Sequence, residues 1–542
     1  MLQLLVGGFM LNLFPYPSIR EQQQKAIDFV DNTFQNKKKK FCIIEAGTGV
    51  GKSAIGVYTA NLLEMGFTEK DIGSYFLTTQ KILQDQYVSD FSKNQQMLSL
   101  KSSSNYSCKY YKGSSCGESL RLLKTANKDS KFFKSCSYNC VYKKEKEKFI
   151  DGKKGVTNFS YFLSETVYAG KLKPRKLLVI DEAHNVAEEL SKFIEVTISE
   201  RFCKSQKIGF PDKLTQISCF KWVSEIYYPH IKGRLKYMEN FMEQTPGLKE
   251  KIKELQSVSK NYDLLDKHVC KVKRFIDRYD RENWVFNLIE GEGRSLRKIE
   301  FKPIDVSKYA HEYLFNRADH VLLMSATILD KAAFCELLGI RNEDCGFLSL
   351  ASPFPIENKP IISAGIGKMS AQHIDKSLPN LVLAVESILE EHKNQKGIIH
   401  CHSYKIANYL KRNIKKGKSR LIFHSSEDRD EALEKHKSSN KASVLISPSM
   451  TEGVDLKGEL SRFQILCKIP YPYLGDKLIR KKMNKWKWWY PLQTAKTIIQ
   501  SVGRSVRSKE DFATTYILDE DWFRFYRNNR DFFPVDFQKA IK

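Results

Sequence analysis

The run Glu45-Ala46-Gly47-Thr48-Gly49-Val50-Gly51-Lys52-Ser53 constrains this chain more than any other stretch. An apolar β-type run, Phe41 to Ile44, precedes it. A segment with helical periodicity (Ala54, Val57, Tyr58, Leu62, Leu63) follows. Strand, glycine-rich loop and helix in that order let backbone N–H groups crowd around phosphate oxygens at the positive end of a helix. Lys52 then reaches the β- and γ-phosphates of a nucleotide, and the Ser53 hydroxyl holds Mg²⁺. The first position of the usual pattern is Ala46 rather than glycine. The competing bland reading is a glycine-rich turn ahead of an ordinary helix.

Such a loop belongs in an α/β fold, and the rest of the chain agrees. Short apolar β-type runs alternate with helical stretches in two blocks. The first block has Phe41–Ile44, Ser74–Thr78, Leu177–Ile180 and His320–Met324. The second has Gly397–Cys401, Ala442–Ser447, Phe463–Ile469 and Thr514–Leu518. That alternation predicts two parallel sheets covered by helices. Ala351-Ser352-Pro353-Phe354-Pro355 reads as the linker between them. Two segments interrupt the first block. Residues 95–155 are polar, rich in Lys, Ser and Tyr, and hold four cysteines. Residues 190–315 have a helical pattern.

Leu177 to Ile180 leads into Asp181-Glu182-Ala183-His184. A buried strand that delivers acids at its C-terminal end is where open α/β sheets bind ligands. Asp181 suits Mg²⁺ through water, Glu182 suits orienting and deprotonating an attacking water, and His184 suits coupling to neighbouring loops. Near the C-terminus, Gln500-Ser501-Val502-Gly503-Arg504-Ser505-Val506-Arg507 places two arginines on one helical face. They read either as guanidiniums for a γ-phosphate or as a basic surface touching solvent or a nucleic-acid backbone.

The surplus of 89 Lys+Arg over 63 Asp+Glu, a net charge of +26, favours a polyanionic partner, nucleic acid first. No apolar run approaches a membrane span, and Met1 to Leu13 lacks the features of a signal peptide, so a cytoplasmic protein without a membrane partner is expected. Twelve cysteines then read as buried thiols plus a metal site rather than a disulfide scaffold. Cys108, Cys116, Cys136 and Cys140 form the one ligand-like group. Their spacing lacks the tight pairs of zinc ribbons, and the residues alone leave zinc, an iron–sulfur cluster and unliganded core thiols open.

Taken in order, these motifs resemble those of superfamily 2 helicases, and within them the DinG/XPD iron–sulfur family. Phe14 to Gln23 looks like that family's adenine-reading motif, with Arg20 and Gln23 in the key places. Thr78 to Gln86 is similar to its strand-contacting motif Ia, and Ser325-Ala326-Thr327 to motif III. Glu452-Gly453-Val454-Asp455 resembles motif V, and Gln500 to Arg507 resembles motif VI. The resemblance implies two RecA-like domains closing on ATP and Mg²⁺. Lys52, Ser53, Asp181 and Glu182 would come from the first, and Gln500, Arg504 and Arg507 from the second. It implies a first RecA-like domain in pieces (1–95, 156–190, 316–350), a four-cysteine insertion (96–155) carrying a [4Fe-4S] cluster, an arch-like helical insertion (191–315), and a second RecA-like domain (351–542). The expected activity is ATP-driven 5′ to 3′ movement on single-stranded or forked DNA in repair, replication or recombination. A bacterial protein would be nucleoid-associated and a viral one would act in the host cell. A remodelling ATPase that switches without unwinding, or a helicase for RNA or RNA–DNA hybrids, are the alternatives.

Overall fold

The structure, a computed structural model, describes residues 12–47, 49–65, 73–123, 126–244, 252–291, 296–425, 428–448, 456, 458–503, 505–506 and 508–542. Sixteen strands follow one another among these residues. The first five are β1 (Phe41–Ala46), β2 (Ser74–Thr78), β3 (Met97–Ser99), β4 (Lys154–Asn158) and β5 (Arg175–Ile180). Then come β6 (Val196–Ser199), β7 (Trp284–Ile289), β8 (Lys298–Pro303), β9 (Ala318–Ser325), β10 (Cys345–Leu350) and β11 (Ile361–Gly367). The last are β12 (Gly397–His400), β13 (Leu421–Phe423), β14 (Val444–Ser447), β15 (Phe463–Leu466) and β16 (Thr514–Asp519).

They form two wholly parallel sheets and one small antiparallel one. The first lobe's sheet has the order β10-β1-β9-β5-β2-β4-β3, and the second lobe's has the order β11-β16-β15-β12-β14-β13. Every residue of β1 and β2 is buried, as expected for strands with helices on both faces. Ser352 and Phe354 of the linker lie against the loop that follows β1.

The helices that matter for the site are α1 (Glu21–Asp31), α2 (Lys52–Glu64) and α3 (Lys81–Gln95). The cysteine segment leaves the first sheet after β3 and returns at β4. It carries α4 (Cys116–Leu123), α5 (Lys131–Tyr138) and α6 (Val141–Asp151). The segment expected to be helical holds the packed pair α7 (Tyr228–Gln244) and α8 (Ile252–Asp277). It departs from expectation in also carrying β6, β8 and β7, an antiparallel sheet in that order. The reason is the alternation of Lys298–Pro303, whose Ile299, Phe301 and Pro303 face the core while Lys298, Glu300 and Lys302 do not. Of its aromatic residues, Trp222 and Tyr227 are core, whereas Tyr237 is exposed beneath Arg234.

In the second lobe, α9 names the helix that follows β9 from the first lobe, Lys331–Leu338, against which α10 (Lys477–Lys485) and α11 (Trp489–Val502) are docked. Trp486 and Trp489 are buried between the lobes with Val285 and Ile304. Glu336 accepts hydrogen bonds from both indoles at the turn, Trp486 Nε1 at 2.8 Å and Trp488 Nε1 at 3.1 Å. The tryptophan cluster is therefore an interlobe joint. No described helix is long and apolar enough to cross a membrane.

Candidate nucleotide site between two lobes

β1 ends at Ala46 and α2 starts at Lys52, so the glycine loop spans the C-terminal end of a central strand and a helix N-terminus. Gly49 and Gly51 have φ of 88° and 89°, a left-handed backbone that other residues adopt at a cost. Space closes the same two positions. A Cβ at Gly49 would strike the Phe354 ring, and one at Gly51 the Gln23 amide. Lys52 Nζ donates to the Ala46 carbonyl at 3.1 Å, folded back over the loop. Thr48 lies outside the described residues, and Val50 is buried.

Arg20 and Gln23 meet this loop from α1. Arg20 Nη1 donates to the Gly49 carbonyl at 2.8 Å, and the Arg20 N–H donates to Gln23 Oε1 at 2.9 Å. The two residues expected to read the base thus lie against the phosphate loop.

Asp181 and Glu182 sit at the end of β5, beside that loop. Asp181 is buried. Burial first, and then the Glu182 charge, push its carboxyl up to about 6, while Lys52 pulls the other way. A buried carboxylate that is costly to ionise is well matched to a cation. Tyr87 from α3 donates to Asp181 Oδ2 at 3.3 Å and also hydrogen-bonds Ser53. It ties the two expected Mg²⁺ residues together. Glu182 has φ of 51°, a strained conformation for a non-glycine residue at the point where chemistry is expected.

His184 makes the connection across the lobes. Its Nδ1 is 2.8 Å from Ser325 Oγ and 3.4 Å from Glu182 Oε2, and its Nε2 is 3.0 Å from Gln500 Nε2. Because the amide NH₂ donates to Nε2, the proton of a neutral ring sits on Nδ1. Gln500 also donates to Thr327 Oγ1 at 3.3 Å. Asp181, Glu182 and His184 just after β5, Ser325 and Thr327 at and beyond the end of β9 and Gln500 from α11 therefore form one network. Gly453, Asp455, Arg504 and Arg507 lie outside the described residues.

Three contributors have roles that no sequence motif assigns. Glu45, buried one residue before the loop's alanine, accepts from the N–H groups of Ile328 and Leu329, each at 2.7 Å, and from Ser349 Oγ at 2.7 Å. It fixes the turn after Ser325-Ala326-Thr327, where Leu329 has φ of 66°. Tyr87 and Phe354 are the others. Only their distant partners give them meaning, although a buried acid inside an apolar strand is itself a clue.

The four cysteines lie on α4, α5, the start of α6 and the turn before α4. Cys116, Cys136 and Cys140 are buried and Cys108 is half-buried. Cys116 and Cys140 are hydrogen-bonded to each other, and the Cys136 thiol feels charge on the other three. Burial raises Cys136 to about 11. At Cys108 burial also raises, but bonds from Ser119 and the N–H groups of Tyr111 and Tyr110 outweigh it and the thiol is held below its ordinary value. Among the described residues, no three His, Cys, Asp or Glu side chains are close enough to share one metal ion. The donor set is all thiol, the kind that zinc and iron–sulfur centres both use. Tyr110 and Tyr111 both pack on Phe132 in this subdomain, Tyr110 remaining partly exposed, and Tyr138 is exposed; Lys109, Lys112, Lys131 and Lys134 are exposed too.

Two family models match. Residues 17–211 match the type III restriction enzyme res subunit and residues 385–535 the helicase C-terminal domain. A DinG ATP-dependent DNA helicase of Photobacterium profundum is 29% identical over 256 residues, 44% of this chain and 36% of that protein. A probable ATP-dependent helicase of Methanocaldococcus jannaschii is 24% identical over 95% of this chain and 94% of its own length. Two solved structures share the fold. An XPD helicase aligns with a TM-score of 0.60 at 16% identity, covering 95% of this chain and 98% of the other. Xpd4 of S. tokodaii aligns at 0.57 and 15%, covering 96% and 99%. By these models and relatives the chain is similar to DinG/XPD-type superfamily 2 helicases. The two family models fall one on each lobe.

Proposed function

We propose that this chain is an ATP-dependent DNA helicase that moves along single-stranded DNA. The observation that carries the reading is the His184–Gln500 contact, which joins the first lobe's Glu182 and Ser325 to the second lobe's α11. In that reading Lys52 and the glycine loop hold the phosphates, and Asp181 with Ser53 holds Mg²⁺. Glu182 orients and deprotonates the water, and Arg504 and Arg507 meet the terminal phosphate. Mg²⁺, when bound, neutralises phosphate charge. His184 reports the γ-phosphate state to Gln500, so hydrolysis loosens one lobe from the other.

The reading extends to 5′ to 3′ direction, a role in DNA repair and a [4Fe-4S] cluster on Cys108, Cys116, Cys136 and Cys140, supported by the family resemblance and the donor set. The cluster would brace the cysteine segment against the strand. The test is strand displacement on forked DNA with either a 5′ or a 3′ tail, run beside Glu182→Gln. Displacement from the 5′ tail by the wild type, and at least 100-fold less by the variant, is expected. ATP turnover without displacement on either substrate overturns unwinding in favour of a switch. Stronger stimulation of turnover by RNA than by a matched DNA oligomer overturns the DNA preference.

A further inference from the structure

One cleft involving both lobes shares no lining residue with the nucleotide site. About 660 Å³ of space separates β7 of the small antiparallel sheet from α10 of the second lobe. One wall is basic. Lys477, Arg480, Lys481 and Asn484 follow one another at intervals of three, one and three, so they share a face of α10, and all four are exposed. None of the three cations has a carboxylate partner among the described residues, and no acidic residue lines the cleft. The opposite wall is largely apolar, with Phe286 and Leu288.

The other face of α10 holds this wall in place. Leu478 and Ile479 pack on the tryptophan joint, and Lys485 pairs with Asp305 at 2.6 Å. The cations are therefore presented by a fixed helix.

Two kinds of occupant suit a basic helix above an open strand. β7 is an edge strand that pairs only with β8, so an acidic peptide could add to it as a further strand. The outward carbonyls argue against that. Gln216 Nε2 already donates to the Trp284 carbonyl at 2.9 Å, and Lys477 Nζ to the Phe286 carbonyl at 3.5 Å. A strand edge whose acceptors are taken has little to offer another backbone. Cations at steps of about 5–6 Å along a helix, facing apolar side chains, suit successive phosphates on one side and sugars or bases on the other.

We infer that this cleft binds the backbone of a single nucleic-acid strand, with Lys477, Arg480 and Lys481 on its phosphates. The inference rests on the proposed helicase reading and adds a second place, outside the nucleotide-binding end of the sheets, where strand and lobes meet.

The experiment is a salt titration of binding to a fluorescent single-stranded DNA 30-mer, comparing wild type with the triple variant Lys477→Gln, Arg480→Gln, Lys481→Gln. Three lost phosphate contacts should lower the slope of log affinity against log salt by about 2, at about 0.7 per phosphate. Affinity at 0.1 M salt should fall about tenfold, with DNA-free ATP turnover unchanged. Unchanged affinity and slope in a triple variant whose parent binds and unwinds DNA overturn the cleft and leave the helicase reading standing. A parent that binds no nucleic acid overturns both. A polyglutamate peptide that binds the parent and not the triple variant, with DNA binding intact in each, assigns the cleft to acidic protein instead.

Discussion

The two lobes use the same parallel-sheet architecture but contribute to the nucleotide site in different ways. The first lobe builds its half in advance. Glu45 fixes the turn after β9, Tyr87 ties Asp181 to Ser53, and Gly49 and Gly51 are closed in by Phe354 and Gln23. Among the described residues, the second lobe brings one side chain to that network, Gln500, on the end of a helix. A rigid half and a delivered half suit a machine in which binding energy is spent on bringing domains together. The contrast predicts that damage to the first half costs stability, and damage to the second costs only coupling.

Four experiments test this contrast, beginning with the largest effect. Cys136→Ser should remove iron and visible absorbance and reduce unwinding at least 100-fold while ATP turnover survives in part. A colourless, iron-free wild type with full unwinding would remove the cluster from the account. Gln500→Ala should lower DNA-stimulated kcat about tenfold and leave thermal stability within about 0.5 kcal/mol. An equal loss of stability would mean that the second lobe's half is as built-in as the first. Glu45→Ala strands two buried N–H donors and should cost about 3 kcal/mol, read as a lower denaturant midpoint. Glu45→Gln, which keeps one acceptor, should cost less.

The smallest effect concerns pH. Burial lowers the His268 imidazole to about 4, where it bonds Tyr227 at 2.8 Å. The folded ring stays neutral while the unfolded one takes a proton below about 6.5. Stability is therefore full above pH 6.5 and falls as pH drops toward 4, by at most about 3 kcal/mol. Hydrogen exchange along α8 should accelerate through that window, and His268→Gln should flatten the response.

What the sequence reveals depends on how far apart the cooperating residues lie. β1, β2, β5 and β9 are apolar runs that announce themselves, and the glycine loop states its chemistry in nine consecutive residues. Other strands are hidden for physical reasons. β3 is three residues long, too short for any period. In β4 one valine is the only large apolar residue, and its Lys154 is buried through an ion pair with Glu64 at 3.1 Å. β10 and β11 are half-buried edge strands whose apolar residues are interrupted by glycine and serine. Glu45 bonds to residues more than 280 positions away, which no local pattern displays. Nothing local places the tryptophans from 486 to 489, because the partner that decides, Glu336, lies 150 residues before Trp486.

That joint has a mechanical consequence. α11 is attached to the first lobe near its start through Trp486, Trp488 and Glu336, and near its end through Gln500 and His184. Fourteen residues make a rod of about 21 Å. If the glutamate end stays fixed as a fulcrum, a tilt of about 10° swings the glutamine end by about 4 Å. That travel breaks the His184 bond outright. A carboxylate holding two indoles, far from any phosphate, thereby sets the length of the crank arm.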